Sequence, residues 1–128
     1  MKKVFNIAVV GLGQVGLYLL NELKSKKKNL ELITGSKFNV VAISAKHIKK
    51  KRKYKINKKI FFSNPLEIFK KTKVDILFEA IGLSDGISKK VVEVALNNKI
   101  HVITPNKALI SKHGDTLAKL AEKNKVNL

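Results

Sequence analysis

Residues 11–16, Gly-Leu-Gly-Gln-Val-Gly, place three glycines at the spacing G-x-G-x-x-G. Each glycine has a distinct physical use. Gly11 permits a tight turn, Gly13 lets the main chain approach a pyrophosphate, and Gly16 lets the next helix pack closely on the preceding strand. The helix that opens here offers unpaired N–H groups and the positive end of its dipole to phosphate oxygens. The loop therefore predicts a dinucleotide held along Gly11, Leu12, Gly13, Gln14, Val15 and Gly16. Specificity for that dinucleotide is set at the end of the following strand, which reads Ser44-Ala45-Lys46-His47. A carboxylate at this place holds both ribose hydroxyls of NAD, whereas a basic group accepts the 2′-phosphate of NADP. No Asp or Glu stands between Glu31 and Glu67. Ser44 and Lys46 are thus the candidate 2′-phosphate ligands, and NADP is favoured over NAD.

Other chemistries are poorly served. The chain has no cysteine, which excludes disulfides, thiolate metal sites and a cysteine nucleophile. His101 and His113 have no second ligand at metal-binding spacing, so no metal site is expected. His113 precedes Gly114, a helix breaker, and reads as a cation at a helix C-terminus. Glu79 is a lone acid near the end of an apolar run; without a partner it reads as structural rather than as a general base. Ser84-Asp85-Gly86 either flanks the reacting end of the dinucleotide or is a plain turn.

The charge balance, 27 Lys+Arg against 9 Asp+Glu for a net +18, calls for an anionic partner or a lysine-rich composition. Arg52 is the sole arginine, although phosphate and base readers draw on the arginine fork. The run KKKRKYK (49–55) is interleaved by Tyr54 alone, which leaves no stacking platform. Specific nucleic-acid binding is not expected. With 45% hydrophobic residues the 128-residue chain has the apolar content of a folded domain. No window of 18 residues is apolar and free of charge, so no transmembrane helix is expected. The N-terminal MKKVFNIAVVGLGQVGLYLL is broken by Asn6 and Gln14 and lacks a small-residue cleavage site, which favours a cytoplasmic protein beginning in a native strand.

The elements that must position these residues follow from apolar patterning. VFNIAVV (4–10) is a buried strand ending at the glycine loop. Val15, Leu19, Leu20 and Leu23 mark a helix whose lysine-rich end lies at 24–28. A polar turn surrounds Gly35, and NVVAISA (39–45) is a second strand. Residues 46–59 lack periodicity and read as a solvated loop. Asn64-Pro65-x-Glu67 starts a helix that runs to about Lys71. VDILFEAIG (74–82) is a third strand, 88–98 a helix, and HVIT (101–104) a fourth strand. A short helix from Lys107 ends near Gly114, a second covers Asp115–Lys123, and KVNL looks like the opening of a fifth strand. Strands alternating with helices predict a Rossmann-type α/β fold, a mostly parallel, doubly wound sheet with helices on both faces. Residues 1–128 read as one domain.

The segment VDILFEAIG, together with VVEVALNNKIHVITPNKALISKHGDTLAKLAEKNKVNL, resembles the nucleotide-binding domain of homoserine dehydrogenase. Its most specific part is TPNKALISKHG (104–114), and ISAK matches the family's second strand end. The resemblance implies an NAD(P)-dependent oxidoreductase that interconverts L-homoserine and L-aspartate 4-semialdehyde, on the route to threonine, methionine and isoleucine. It implies that Lys107, the lysine of the family's T-x-N-K, lies near the nicotinamide with cofactor-binding and catalytic roles. Gly82, Thr104 and Asn106 join it as expected cofactor contacts. Pro105 stands where the family usually has alanine. The family's substrate-binding and dimerisation region has no counterpart in these residues, which end in the fifth strand. The chain is therefore expected to supply the cofactor part and to be inactive alone, with homo-oligomerisation belonging to the full-length family. The alternative is a free-standing nucleotide-binding module without catalysis of its own.

Overall fold

In the computed structural model, which describes residues 2–128, the first strand β1 runs Lys3–Val10. Successive side chains of a strand face opposite sides, and here both sides are apolar. Ala8 and Val10 enter one core, while Ile7 and Val9 enter another. Such two-sided burial is what turns a strand of a parallel sheet into a continuous apolar run.

Four further strands complete the sheet: β2 (Ser36–Ser44), β3 (Phe61–Phe62), β4 (Ile76–Glu79) and β5 (His101–Ile103). Their order is β3-β2-β1-β4-β5, and every pairing is parallel. The chain leaves β1 toward β2 on one side and later returns to β4 on the other. That reversal creates a crevice beyond the C-terminal ends of β1 and β4, where open α/β sheets bind ligands.

Helices cover both faces. On one, α1 (Gln14–Ser25) lays Leu19, Leu20 and Leu23 over Ile7, Val9 and Ile43. On the other, α3 (Ile68–Lys71), α4 (Ile87–Asn97) and α5 (Lys107–Lys123) close the larger core. Val91, Val92, Ala95 and Leu96 of α4 are wholly buried there. Each side chain of valine or leucine size stabilises by about 1.5–3 kcal/mol on full burial, enough for packing to decide where this helix lies. Asn64 caps the turn that leads into α3, its side chain accepting from Leu66 N–H at 3.0 Å, with Pro65 at the first position as its spacing predicts.

Five expectations need correction. A separate helix, α2 (Lys27–Thr34), follows α1 where the sequence shows only a lysine-rich helix end. It closes on Gly35 in the left-handed region (φ 74°), whose N–H donates to Glu31 C=O at 2.8 Å. The fifth strand of the sheet is Phe61–Phe62, not the KVNL segment. Residues 125–128 are not a strand, although Asn127 C=O accepts from Val102 N–H at 2.9 Å beside β5. Two expected helices are one, because α5 passes unbroken through Gly114. A mid-helix glycine costs about 1 kcal/mol against alanine, which burial of Leu109 and Leu117 on the same face outweighs. His113 is accordingly mid-helix and not at a C-terminus. Residues 46–59, finally, are not wholly solvated: Ile56 packs against the second core together with Ile60.

Candidate functional site

Gly11 leaves β1 with φ +90°, and its N–H donates to Ser44 C=O at 2.8 Å, tying the loop to the end of β2. A Cβ on Gly11 would lie 2.5 Å from the Ala80 carbonyl carbon. The turn is therefore wedged between the ends of β2 and β4. Gly13 then caps α1 without a side-chain hydrogen bond, so the first-turn amides have no side-chain acceptor. A Cβ at Gly13 would meet nothing within 4 Å. The main chain here faces an open cradle that a phosphate can enter and a side chain would fill.

The adjoining crevice has a volume of about 500 Å³. Gly11, Leu12 and Gly13 form its floor; Ser44, Lys46, His47, Lys50 and Arg52 form one lip, and Ala80, Ile81 and Leu83 the other. Leu12 also packs into the second core. Gln14, Val15 and Gly16 form the first turn of α1, with Val15 exposed and Gly16 buried. Ser44 is buried, while Lys46 is exposed on the lip. Arg52 braces this lip from within. Its guanidinium donates to the carbonyl oxygens of His47 (2.6 Å), Lys50 (3.1 Å) and Ile48 (3.3 Å).

The remaining candidates, Gly82, Thr104 and Asn106, converge on a residue that the sequence offers only as a lone acid. Glu79 ends β4 with no solvent exposure. Its Oε2 accepts from Ile81 N–H at 2.9 Å and Gly82 N–H at 3.2 Å. Its Oε1 accepts from Thr104 Oγ1–H at 2.6 Å and Asn106 Nδ2–H at 3.3 Å. Hydrogen bonds to a charged group stabilise by about 1.5–3 kcal/mol each, whereas an unmatched buried carboxylate is strongly destabilising. Glu79 thus has partners, contrary to its lone appearance in the sequence.

Asn106 extends the network in two directions. Its Nδ2 donates to Leu83 C=O at 2.7 Å, and its Oδ1 caps α5 by accepting from Leu109 N–H at 3.1 Å. Lys107, exposed, is the first residue of that helix. It does not line the crevice; it stands just beyond the turn that Thr104 and Asn106 anchor. The loop after β4 is fastened to α5 once more by Asp85, which pairs with both Lys112 and His113. The Lys112 ammonium first, and His113 second, hold the Asp85 carboxyl well below the usual carboxylate range. Ser84-Asp85-Gly86 is thus a turn that clamps this loop, an arrangement whose partners lie too far along the chain for the sequence to announce.

A glycine loop wedged at the switch point of a 3-2-1-4-5 parallel sheet, beside a crevice with a cationic lip, defines a Rossmann-type domain for a nicotinamide dinucleotide. The family described as homoserine dehydrogenase, NAD binding domain, matches residues 11–128, and the chain belongs to it. It is 30% identical over 124 residues to homoserine dehydrogenase of Neisseria gonorrhoeae and 26% identical over 122 residues to that of Bacillus subtilis. These alignments take in 97% and 95% of this chain but 28% of each relative. Among solved structures, S. aureus homoserine dehydrogenase at pH 7.5 superposes with a TM-score of 0.90 at 31% identity, over 98% of this chain and 32% of that one. The chain therefore spans about a third or less of the proteins it matches. Among the described residues no helix is long and apolar enough to cross a membrane, and no group of His, Cys, Asp and Glu could hold a metal ion.

Proposed function

We propose that residues 1–128 act as one nucleotide-binding domain of homoserine dehydrogenase type, with NADP preferred over NAD. The observation that carries the preference is the lip beyond β2. Lys46, His47, Lys50 and Arg52 line it, and no carboxylate occurs between Glu31 and Glu67 to repel a 2′-phosphate. Gly11, Leu12, Gly13, Gln14, Val15 and Gly16 would hold the pyrophosphate, the open cradle at Gly13 and the uncapped start of α1 being matched to it. Ser44 and Lys46 would hold the adenosine ribose and its phosphate. Gly82, Thr104, Asn106 and Lys107 would contact the nicotinamide end.

When bound, the cofactor supplies the hydride-transfer chemistry by which an alcohol such as L-homoserine and the aldehyde L-aspartate 4-semialdehyde interconvert. This chain's part is to bind and orient. Lys107 Nζ would hold the amide of the nicotinamide end or exchange a proton with the reacting oxygen. Because 28% of each relative is represented here, we infer that these residues bind the dinucleotide without turning over substrate by themselves. Titration with NADPH and NADH by cofactor fluorescence is the test. Tighter binding of NADPH is expected, and no binding of either at millimolar concentration overturns the reading. In a complete enzyme carrying this domain, Lys107→Ala should lower kcat while leaving NADPH affinity within a few fold; an unchanged kcat removes Lys107 from the chemistry.

A further inference from the structure

We propose that Glu79 is a positioning residue that sets the nicotinamide end of the dinucleotide site. It acts by locking the turn after β4 to the turn after β5. The inference rests on the dinucleotide-binding reading above and adds to it a residue that does not itself touch the cofactor.

Four donors converge on Glu79. Both backbone N–H groups, the Thr104 hydroxyl and the Asn106 amide nitrogen all donate to this one carboxylate. A carboxylate can accept at both oxygens, while an amide presents a donor at one of them. Among the described residues no cation lies within ion-pair distance of Glu79. The network is therefore one of directed hydrogen bonds, whose geometry is stricter than that of a diffuse charge pair.

The bonds lead in two directions. Oε2 holds residues 81 and 82, and Gly82 lies at φ +91°, a conformation that favours glycine. Oε1 holds Thr104 and Asn106, and Thr104 Oγ1 in turn accepts from Asn106 N–H at 3.0 Å. Asn106 fixes the first turn of α5, on which Lys107 sits. One buried side chain thereby sets the spacing of two loops, the second of which is reached 25 residues beyond Glu79 itself. Both loops stand on the β4–β5 side of the glycine loop, opposite the β2 end that takes the adenosine ribose. A fault in the Glu79 network should accordingly be felt at one end of the ligand only.

The experiment compares binding of NADPH with binding of 2′,5′-ADP, which carries the adenosine half alone. Wild type, Glu79→Gln and Thr104→Val are measured, with Thr104→Ser as the conservative control and thermal melting alongside. Glu79→Gln and Thr104→Val are expected to weaken NADPH about tenfold, the effect of losing one buried hydrogen bond to a charged group, and 2′,5′-ADP less than twofold. Thr104→Ser, which keeps the hydroxyl, should restore wild-type affinity for NADPH. If Glu79→Gln fails to fold, Glu79→Asp, which keeps the carboxylate but withdraws it from Thr104 and Asn106, carries the same comparison. Equal weakening of both ligands, or unaltered NADPH affinity in folded variants, overturns the proposal and leaves Glu79 as a plain core residue. Wild type that binds 2′,5′-ADP and NADPH equally overturns it too, since the nicotinamide end then contributes nothing. Wild type that binds neither ligand refutes the dinucleotide reading itself, and the positioning role falls with it.

Discussion

The carbonyl oxygen of Gly11 occupies the space in which a side chain on Gly16 would begin, at 1.8 Å from an ideal Cβ. The Ala80 Cβ stands on another side at 3.3 Å. The third glycine of the loop is therefore a packing requirement, set by the contact of α1 with the β1 turn.

Gly16→Ala should consequently damage the fold as well as the site. Backbone blocks the new methyl, so the start of α1 must move away from the sheet, at a cost of about 1–3 kcal/mol. Chemical denaturation would register a lower midpoint, and dinucleotide binding should fall with it. An alanine variant with wild-type stability would show that the loop has slack that the packing denies.

Gly13→Ala should behave in the opposite manner. Its Cβ meets no atom within 4 Å, and the φ of −74° is one that alanine adopts freely. Stability should change by less than about 1 kcal/mol, since alanine costs little beside glycine at an extended position. The methyl nevertheless projects into the open space proposed to take the pyrophosphate, and NADPH affinity should drop about tenfold or more. Isothermal titration beside a melting curve separates the two effects.

Lys46 stands exposed on the lip of the crevice. Lys46→Glu should weaken NADPH more than NADH, because the new carboxylate repels a phosphate that only NADPH carries. Fluorescence titration at low and high salt checks this, and the gap between the two cofactors should narrow as salt screens the charge. Equal loss for both would remove Lys46 from the recognition of the 2′-phosphate.

Asp85 predicts a dependence on acidity. Its carboxyl is held below the ordinary range by Lys112 and then His113. A depressed folded-state value contributes stability that is fully present above the ordinary carboxylate value, about 4, and is lost progressively as pH falls from there through the lowered folded-state value. Asp85→Asn should therefore lower the melting temperature slightly near neutrality, with the difference from wild type beginning to shrink as pH falls below about 4 and disappearing only beneath the lowered folded-state value. The effect is small because the pair is exposed and screened. A difference that does not shrink at all between neutrality and the lowest pH at which the protein stays folded would point to packing of the turn instead of its charge.

What could be read from the sequence depended on how local each cause was. The glycine loop, β1 and the capped turn at Asn64-Pro65 rest on residues within a few positions of one another, and each appears where its spacing places it. The two-residue β3 has no periodicity to detect. It exists because Phe61 and Phe62 pair with Ile43 and Ser44, 18 positions back in the chain. The dense lysines around α2 masked a second helix behind what reads as a single helix end. Gly114 looks like a terminus because its propensity is local, while the burial that carries α5 through it is tertiary. The site divides in the same way. Gly11 to Gly16 and the basic lip are legible in the chain, but Glu79 shows its meaning only when residues 104 and 106 are brought beside it.

The buried bonds of Glu79 tie the β4–β5 side of the crevice together. The facing side is different in kind. Apart from Arg52 and its three carbonyl acceptors, most of residues 49–55 are exposed and belong to no helix or strand. Segments with few buried contacts open most readily. A ligand entering this crevice would meet one wall tied together by buried hydrogen bonds and one that is largely exposed, so that adjustment to the ligand falls on the lysine-bearing side.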